Sequence, residues 1–122
     1  MDAIITAGGI PKPDEPLYEY TKGTNKALLE VCGKPMIQWV LDALTCAETV
    51  DSIVVIGLDE SAKLDCPKIR AYIPNQGGML NNIRAGMLKV HELNPAARHI
   101  LAVSSDIPGI RPEMINWVVQ NA

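Results

Sequence analysis

Apolar residues along this chain fall into two alternating kinds of pattern. Short, largely apolar runs occur at Ala3–Ala7, Ser52–Gly57 and His99–Ser104, with a shorter one at Ile69–Ile73 interrupted by Arg70, each closed by glycine, proline or serine. Between them, apolar residues recur three and four apart: Met36, Ile37, Val40, Leu41 and Leu44; Met79, Leu80, Ile83, Met87 and Val90; Met114, Ile115, Val118 and Val119. The short runs predict strands buried on both faces. The spaced ones predict helices with one apolar face each. Pro35 and Pro112 stand at helix starts, where a missing N–H costs nothing. The first helix should end near Cys46 and the second before Asn94-Pro95. Gly86 inside the second weakens it by about 1 kcal/mol against alanine, which predicts close packing on the sheet. Leu58–Leu64 predicts a short helical turn, stopped by Pro67.

Strands alternating with helices predict an α/β fold: three α/β/α layers around a mainly parallel sheet. Ligands on such sheets bind beyond the carboxyl ends of the strands. Three unusual stretches should meet there: Gly8-Gly9, Pro74–Gly78, and Ser105-Asp106-Ile107-Pro108. Adjacent glycines open backbone dihedrals closed to other residues and bring bare N–H groups close to a ligand, where they can cradle an anion. From Ile10 to Thr24 the chain has no usable period and holds Pro11, Pro13 and Pro16, so it reads as a long functional or mobile loop. Its acidic residues Asp14, Glu15 and Glu19 read as solvated. The chain returns at Asn25-Lys26-Ala27-Leu28-Leu29, and Gly33-Lys34-Pro35 is expected to open a helix.

Composition narrows the partner. The 122 residues suit a single domain of residues 1–122. Eleven Lys and Arg against 14 Asp and Glu, with aromatics at 4%, leave no basic or stacking surface for nucleic acid. No run is long enough to span a membrane. Cys32, Cys46 and Cys66 have neither disulfide nor zinc spacing and are expected as reduced thiols in or near the core of a cytoplasmic protein. His91 and His99 lack any partner pattern, Lys34 reads as a surface charge, and Trp39 and Trp117 read as packing or interface residues.

The glycine pair is not a full dinucleotide fingerprint or a Walker loop. Taken with Lys26, Leu28 and Val31-x-Gly33-Lys34-Pro35-Met36-Ile37, however, Ala7-Gly8-Gly9 resembles the opening of nucleotidyltransferases of the molybdenum-cofactor guanylyltransferase type. The resemblance continues through Gly77-Gly78, Asn82-Ile83, Gly86 and Ser105-Asp106-Ile107-Pro108. It implies a Rossmann-like half of the nucleotide-diphospho-sugar transferase fold. It also implies roles: Ala7, Gly8 and Gly9 against the nucleotide, Lys26 neutralising its phosphates, and Asp106 holding Mg²⁺. Asn75, Gly77, Gly78 and Asn82, with Asn81 nearby, would lie beside base or ribose. A metal-bridged triphosphate needs charge compensation and in-line positioning more than covalent chemistry, which suits one lysine and one strand-end carboxylate.

The pattern departs from that family in places. Ile10-Pro11 stand where x-Gly is usual, the loop has no arginine (Lys12 and Lys22 are its other cations), and Asn25 stands where proline is common. Family members are nearly twice as long, their second half supplying the acceptor site and another aspartate, so this chain is expected to represent the nucleotide-binding part. The expected function is Mg²⁺-dependent transfer of a nucleotidyl group from an NTP, GTP or CTP by resemblance, to a phosphorylated small molecule. The alternatives are a non-catalytic nucleotide-binding or oligomerising module, in which a free sheet edge invites a homodimer, or an α/β domain for another small ligand.

Overall fold

A computed structural model describes all residues, 1–122. Four parallel strands form the central sheet: β1 (Asp2–Thr6), β4 (Ser52–Ile56), β5 (Ile69–Ile73) and β6 (Ile100–Ser104). Their spatial order is β5-β4-β1-β6. The chain therefore steps outward from β1 through β4 to β5, then returns to the opposite side of β1 for β6. The strand order reverses between β1 and β6, which is where α/β sheets open a crevice at their carboxyl edge.

Three long helices cover the sheet: α2 (Met36–Cys46), α3 (Met79–Leu93) and α4 (Pro112–Gln120). On the face of α2 and α4, Ile37, Val40, Leu41, Leu44 and Ile115 pack with Ala3, Ile5, Ile53 and Val55. On the other face α3 is alone, and the core is thin: Val90 against Ile4, Val54 and Ile56. Alternation along β1 and β4 thus sends successive residues into two cores. Gly86 is buried where α3 meets the sheet. A Cβ there would lie 2.8 Å from Ile56 Cδ1 and 3.1 Å from Ile4 Cγ2, so the glycine does mark close packing.

Several expectations need correction. Gly33-Lys34-Pro35 does lead into α2, but as part of a hairpin rather than as the first helical turn. Glu30–Val31 (β2) and Lys34–Pro35 (β3) form a small antiparallel hairpin. Cys32 and Gly33 turn it with φ of 50° and 80°, positive at both central positions as a tight two-residue hairpin requires. Pro35 is extended at the cap, and α2 begins at Met36. Lys34 is more than a surface charge: its ammonium lies 2.6 Å from Asp42 and 4.0 Å above the Trp39 ring. Cys32 and Cys46 are exposed rather than in the core, because one sits in the hairpin turn and the other at the end of α2. The Ile10–Thr24 loop contains a short helix, α1 (Tyr18–Thr21).

Helical spacing identified α3 but not its buried face. Asn82, Gly86 and Val90 are buried, while Met79, Leu80 and Met87 are exposed. Leu80 and Met87 line an apolar groove between α3 and β6, and the outer edge of β6 has no strand beside it. On the opposite face a second apolar groove runs between β6 and α4, lined by Ile107, Met114 and Val118. Trp117 on α4 is likewise exposed.

Candidate active site

The carboxyl edge of the sheet gathers the three loops. A cavity of about 290 Å³ is lined by Thr6, Ala7, Gly8, Gly9, Lys26, Asn75, Gly77, Gly78, Met79, Asn82, Ser104, Ser105 and Asp106. Ala7, Gly8, Gly9, Lys26, Asn75, Gly77, Gly78, Asn82 and Asp106 thus stand together at the reversal point between β1 and β6. Asn81 is exposed and does not line the cavity, and neither do Lys12 or Lys22.

The backbone there is close-packed. Gly57, just past β4, has φ of 105°, and a Cβ on it would lie 2.5 Å from Gly8 N. Only glycine fits, both for conformation and for space. A Cβ on Gly8 would lie 2.9 Å from the Asn75 and Asn82 amides, and one on Gly9 would lie 2.6 Å from Lys26 Cε. The glycine pair is therefore the bed on which these side chains rest.

Asn75 and Asn82 brace the loop. Asn75 Nδ2 donates to the Gly8 carbonyl at 3.1 Å, and its Oδ1 accepts from Asn82 Nδ2 and from the Gly77 N–H. Asn82 Oδ1 accepts from the Gln76 N–H at 2.6 Å. These amides join the loop after β5 to the loop after β1, and the amino end of α3, capped by Gly78, opens into the cavity. Helix amino ends favour anions.

Lys26 begins a 3₁₀ turn (Lys26–Leu28) rather than riding on a free loop. Its backbone N–H donates to Gly9 O at 2.9 Å, and its ammonium reaches Asp106 Oδ2 at 3.5 Å. Asp106 lies two residues past β6. The Ser104 hydroxyl donates to its carboxylate. That bond holds the Asp106 carboxyl below the usual carboxylate range despite partial burial, with Lys26 adding to the effect. Asp106 is consequently an anion at neutral pH. As an ionised oxygen donor open to the cavity, it suits a hard divalent cation, and no group of three His, Cys, Asp or Glu converges on it. This donor set fits an ion that arrives with phosphate oxygens, not one caged by protein alone.

Ser104 lines the cavity, and Gly57 and Asn25 support it from behind through the backbone of Ala7 and Gly8; no role is expected of these three from sequence. Ser104 had a signal in the Ser-x-Asp spacing, which places a hydroxyl within reach of a carboxylate two residues on. Across Asn75, a second cavity of about 480 Å³ is lined in part by Leu28, Gly57, Asp59 and Tyr72.

Comparison with known proteins gives a consistent answer. The family model of the MobA-like NTP transferase domain matches residues 3–122. The bifunctional protein GlmU of Sorangium cellulosum is 31% identical over 100 residues, covering 74% of this chain and 20% of that protein. The 3-deoxy-manno-octulosonate cytidylyltransferase of Aliivibrio fischeri is 31% identical over 113 residues, covering 85% and 42%. Among solved structures, a hypothetical transferase from Thermus thermophilus superposes with a TM-score of 0.71 at 28% identity, covering 99% of this chain and 46% of the other. Rv0371C of Mycobacterium tuberculosis, solved in complex with manganese, shares the fold at a TM-score of 0.65 and 14% identity, covering 98% and 57%. The chain spans less than half the length of both curated relatives. No helix is long and apolar enough to cross a membrane.

Proposed function

The chain belongs to the MobA-like NTP transferase domain family, and on that premise we propose that its cavity is the nucleotide site of a nucleotidyltransferase. In the proposed reaction an acceptor phosphate oxygen attacks the α-phosphorus of an NTP. The bond from that phosphorus to the β-phosphate bridging oxygen breaks, and pyrophosphate leaves. The observation that carries this reading is the meeting of Lys26 and Asp106, 3.5 Å apart, over a paired-glycine bed at the strand-order reversal.

Each residue has work it can do from where it stands. The Lys26 ammonium compensates charge on phosphate oxygens. The Gly8-Gly9 backbone lets those oxygens approach the main chain. Asn75 and Asn82 hold the wall formed by Gly77 and Gly78, beside which base or ribose would lie. Asp106 would hold the divalent ion, taken as Mg²⁺, which when bound supplies further charge compensation at the phosphates. GTP or CTP is the favoured nucleotide, CTP being the one a relative's name supports. The acceptor is taken as a phosphorylated small molecule, and the setting as the cytoplasm.

The test is calorimetric titration with GTP, CTP, ATP and UTP, with and without Mg²⁺, on the wild type, Asp106→Ala and Lys26→Ala. The expected result is metal-dependent binding of one NTP, weakened roughly 10- to 100-fold by Lys26→Ala, as loss of one charge-assisted contact implies. Asp106→Ala should remove the metal dependence. A folded wild type that binds no NTP overturns the reading. A second reading, a non-catalytic nucleotide-binding or homodimerising module, draws support from the unpaired edge of β6. It predicts nucleotide binding with no pyrophosphate release when candidate acceptors are added.

A further inference from the structure

Asn25 stands immediately before Lys26 and is buried, at 8% exposure. Its side chain is fully engaged. Nδ2 donates to the Ala7 carbonyl and, at 3.3 Å, to the Gly57 carbonyl. Oδ1 accepts from the Ala27 N–H at 2.9 Å, capping the turn that starts with Lys26. Ala7 and Gly57 follow the adjacent strands β1 and β4. Ala7 N–H still donates to Ile56 and Gly57 N–H to Ile73, but no backbone N–H reaches the Ala7 or Gly57 carbonyl. One amide therefore closes both strand ends and anchors the lysine turn to them.

We infer that Asn25 is the positioning residue for Lys26. It fixes the turn against the ends of β1 and β4, so that the ammonium lies over Gly9 and meets Asp106. The chemistry requires an amide. The two carbonyls need a donor, the Ala27 N–H needs an acceptor, and among side chains of this length only asparagine has both on one planar group. Aspartate keeps the acceptor but turns a carboxylate toward two carbonyl oxygens. Serine can accept from Ala27 but is too short to serve both strands. The functional consequence rests on the nucleotide reading above; the placement of Lys26 does not.

The test is a double-mutant cycle on the full chain, using the NTP identified by the titration above. Asn25→Asp and Asn25→Ser are each measured with Lys26 present and with Lys26→Ala. With Lys26 present, Asn25→Asp should weaken binding about tenfold or more. In the Lys26→Ala background it should change affinity less than twofold, because no lysine remains to position. Equal losses in both backgrounds would overturn the inference and leave Asn25 with a purely structural role. Asn25→Ser provides the same comparison if the aspartate variant does not fold. If the wild type binds no NTP, crystal structures of the wild type and a folded Asn25 variant still decide the matter. Departure of Lys26 Nζ from Asp106 to beyond ion-pair reach, about 4 Å, supports the positioning role, and an unmoved ammonium refutes it.

Discussion

Replacing Gly9 by alanine separates the roles of glycine in this site. Gly9 is not among the positive-φ residues, so alanine meets no backbone strain. The obstacle is spatial: the new Cβ would lie 2.6 Å from Lys26 Cε, 3.1 Å from Cδ and 3.3 Å from Cγ. Carbon–carbon contacts settle at about 3.5–4.0 Å, so the lysine stem must retreat by roughly 1 Å. A lysine chain does that by changing rotamer, and stability should fall by less than about 1 kcal/mol. The ammonium moves with the stem. Loss of the charge-assisted contact sets the ceiling, so NTP affinity should drop by up to the roughly 10- to 100-fold expected for Lys26→Ala. Calorimetric titration beside thermal denaturation by circular dichroism checks both halves. Unchanged affinity, or an equal loss when Lys26→Ala is already present, would refute the role given to the glycine.

Gly86→Ala sets two opposing effects against each other. Alanine raises helix propensity by about 1 kcal/mol, but its methyl would press on Ile56 and on Ile4, both fully buried, and overpacking costs about 1–3 kcal/mol. A net loss near 1 kcal/mol, or about 3–5 °C in Tm, is expected, and a Tm above wild type would show that α3 does not sit tightly on the sheet. Asp42 offers a test in pH. Its partial burial raises its pKa, but hydrogen bonds from Lys34 and Gln38 outweigh this and hold the carboxyl below the usual range. A pKa lowered by folding contributes stability above the unfolded value, and that contribution disappears as pH falls through the folded one. Wild type should therefore lose more Tm than Asp42→Asn between about pH 5 and pH 3, and parallel curves would remove the ion pair from the account.

Much of the fold was legible because period carries it. Short apolar runs became β1, β4, β5 and β6 within a residue at each end, and Ala7, Gly8, Gly9, Lys26 and Asp106 met because loops at one edge of a parallel sheet must meet. The hairpin at Cys32-Gly33 was hidden because cysteine is an unusual residue for positive φ, and a two-residue strand has no period to read. The exposed face of α3 was hidden for another reason. Periodicity shows that Leu80 and Met87 share a stripe with Val90, but not that the sheet stops short of covering it. The bracing amides of Asn25 and Asn75 depend on the Ala7, Gly57 and Gly8 carbonyls, distant in sequence, and no local pattern reports those.

The open side of β6 has a practical meaning at the bench. Ile-Leu-Ala-Val-Ser carries no lysine, no proline and no charge pointing inward, the usual devices that keep a bare strand from recruiting another. Apolar grooves flank it on both faces. Such a border is expected to make colloidal behaviour concentration-dependent. Ligand stoichiometries are therefore sound only where light scattering shows a constant particle mass, because a measured ratio of one nucleotide to two chains would otherwise report how many molecules remain dispersed.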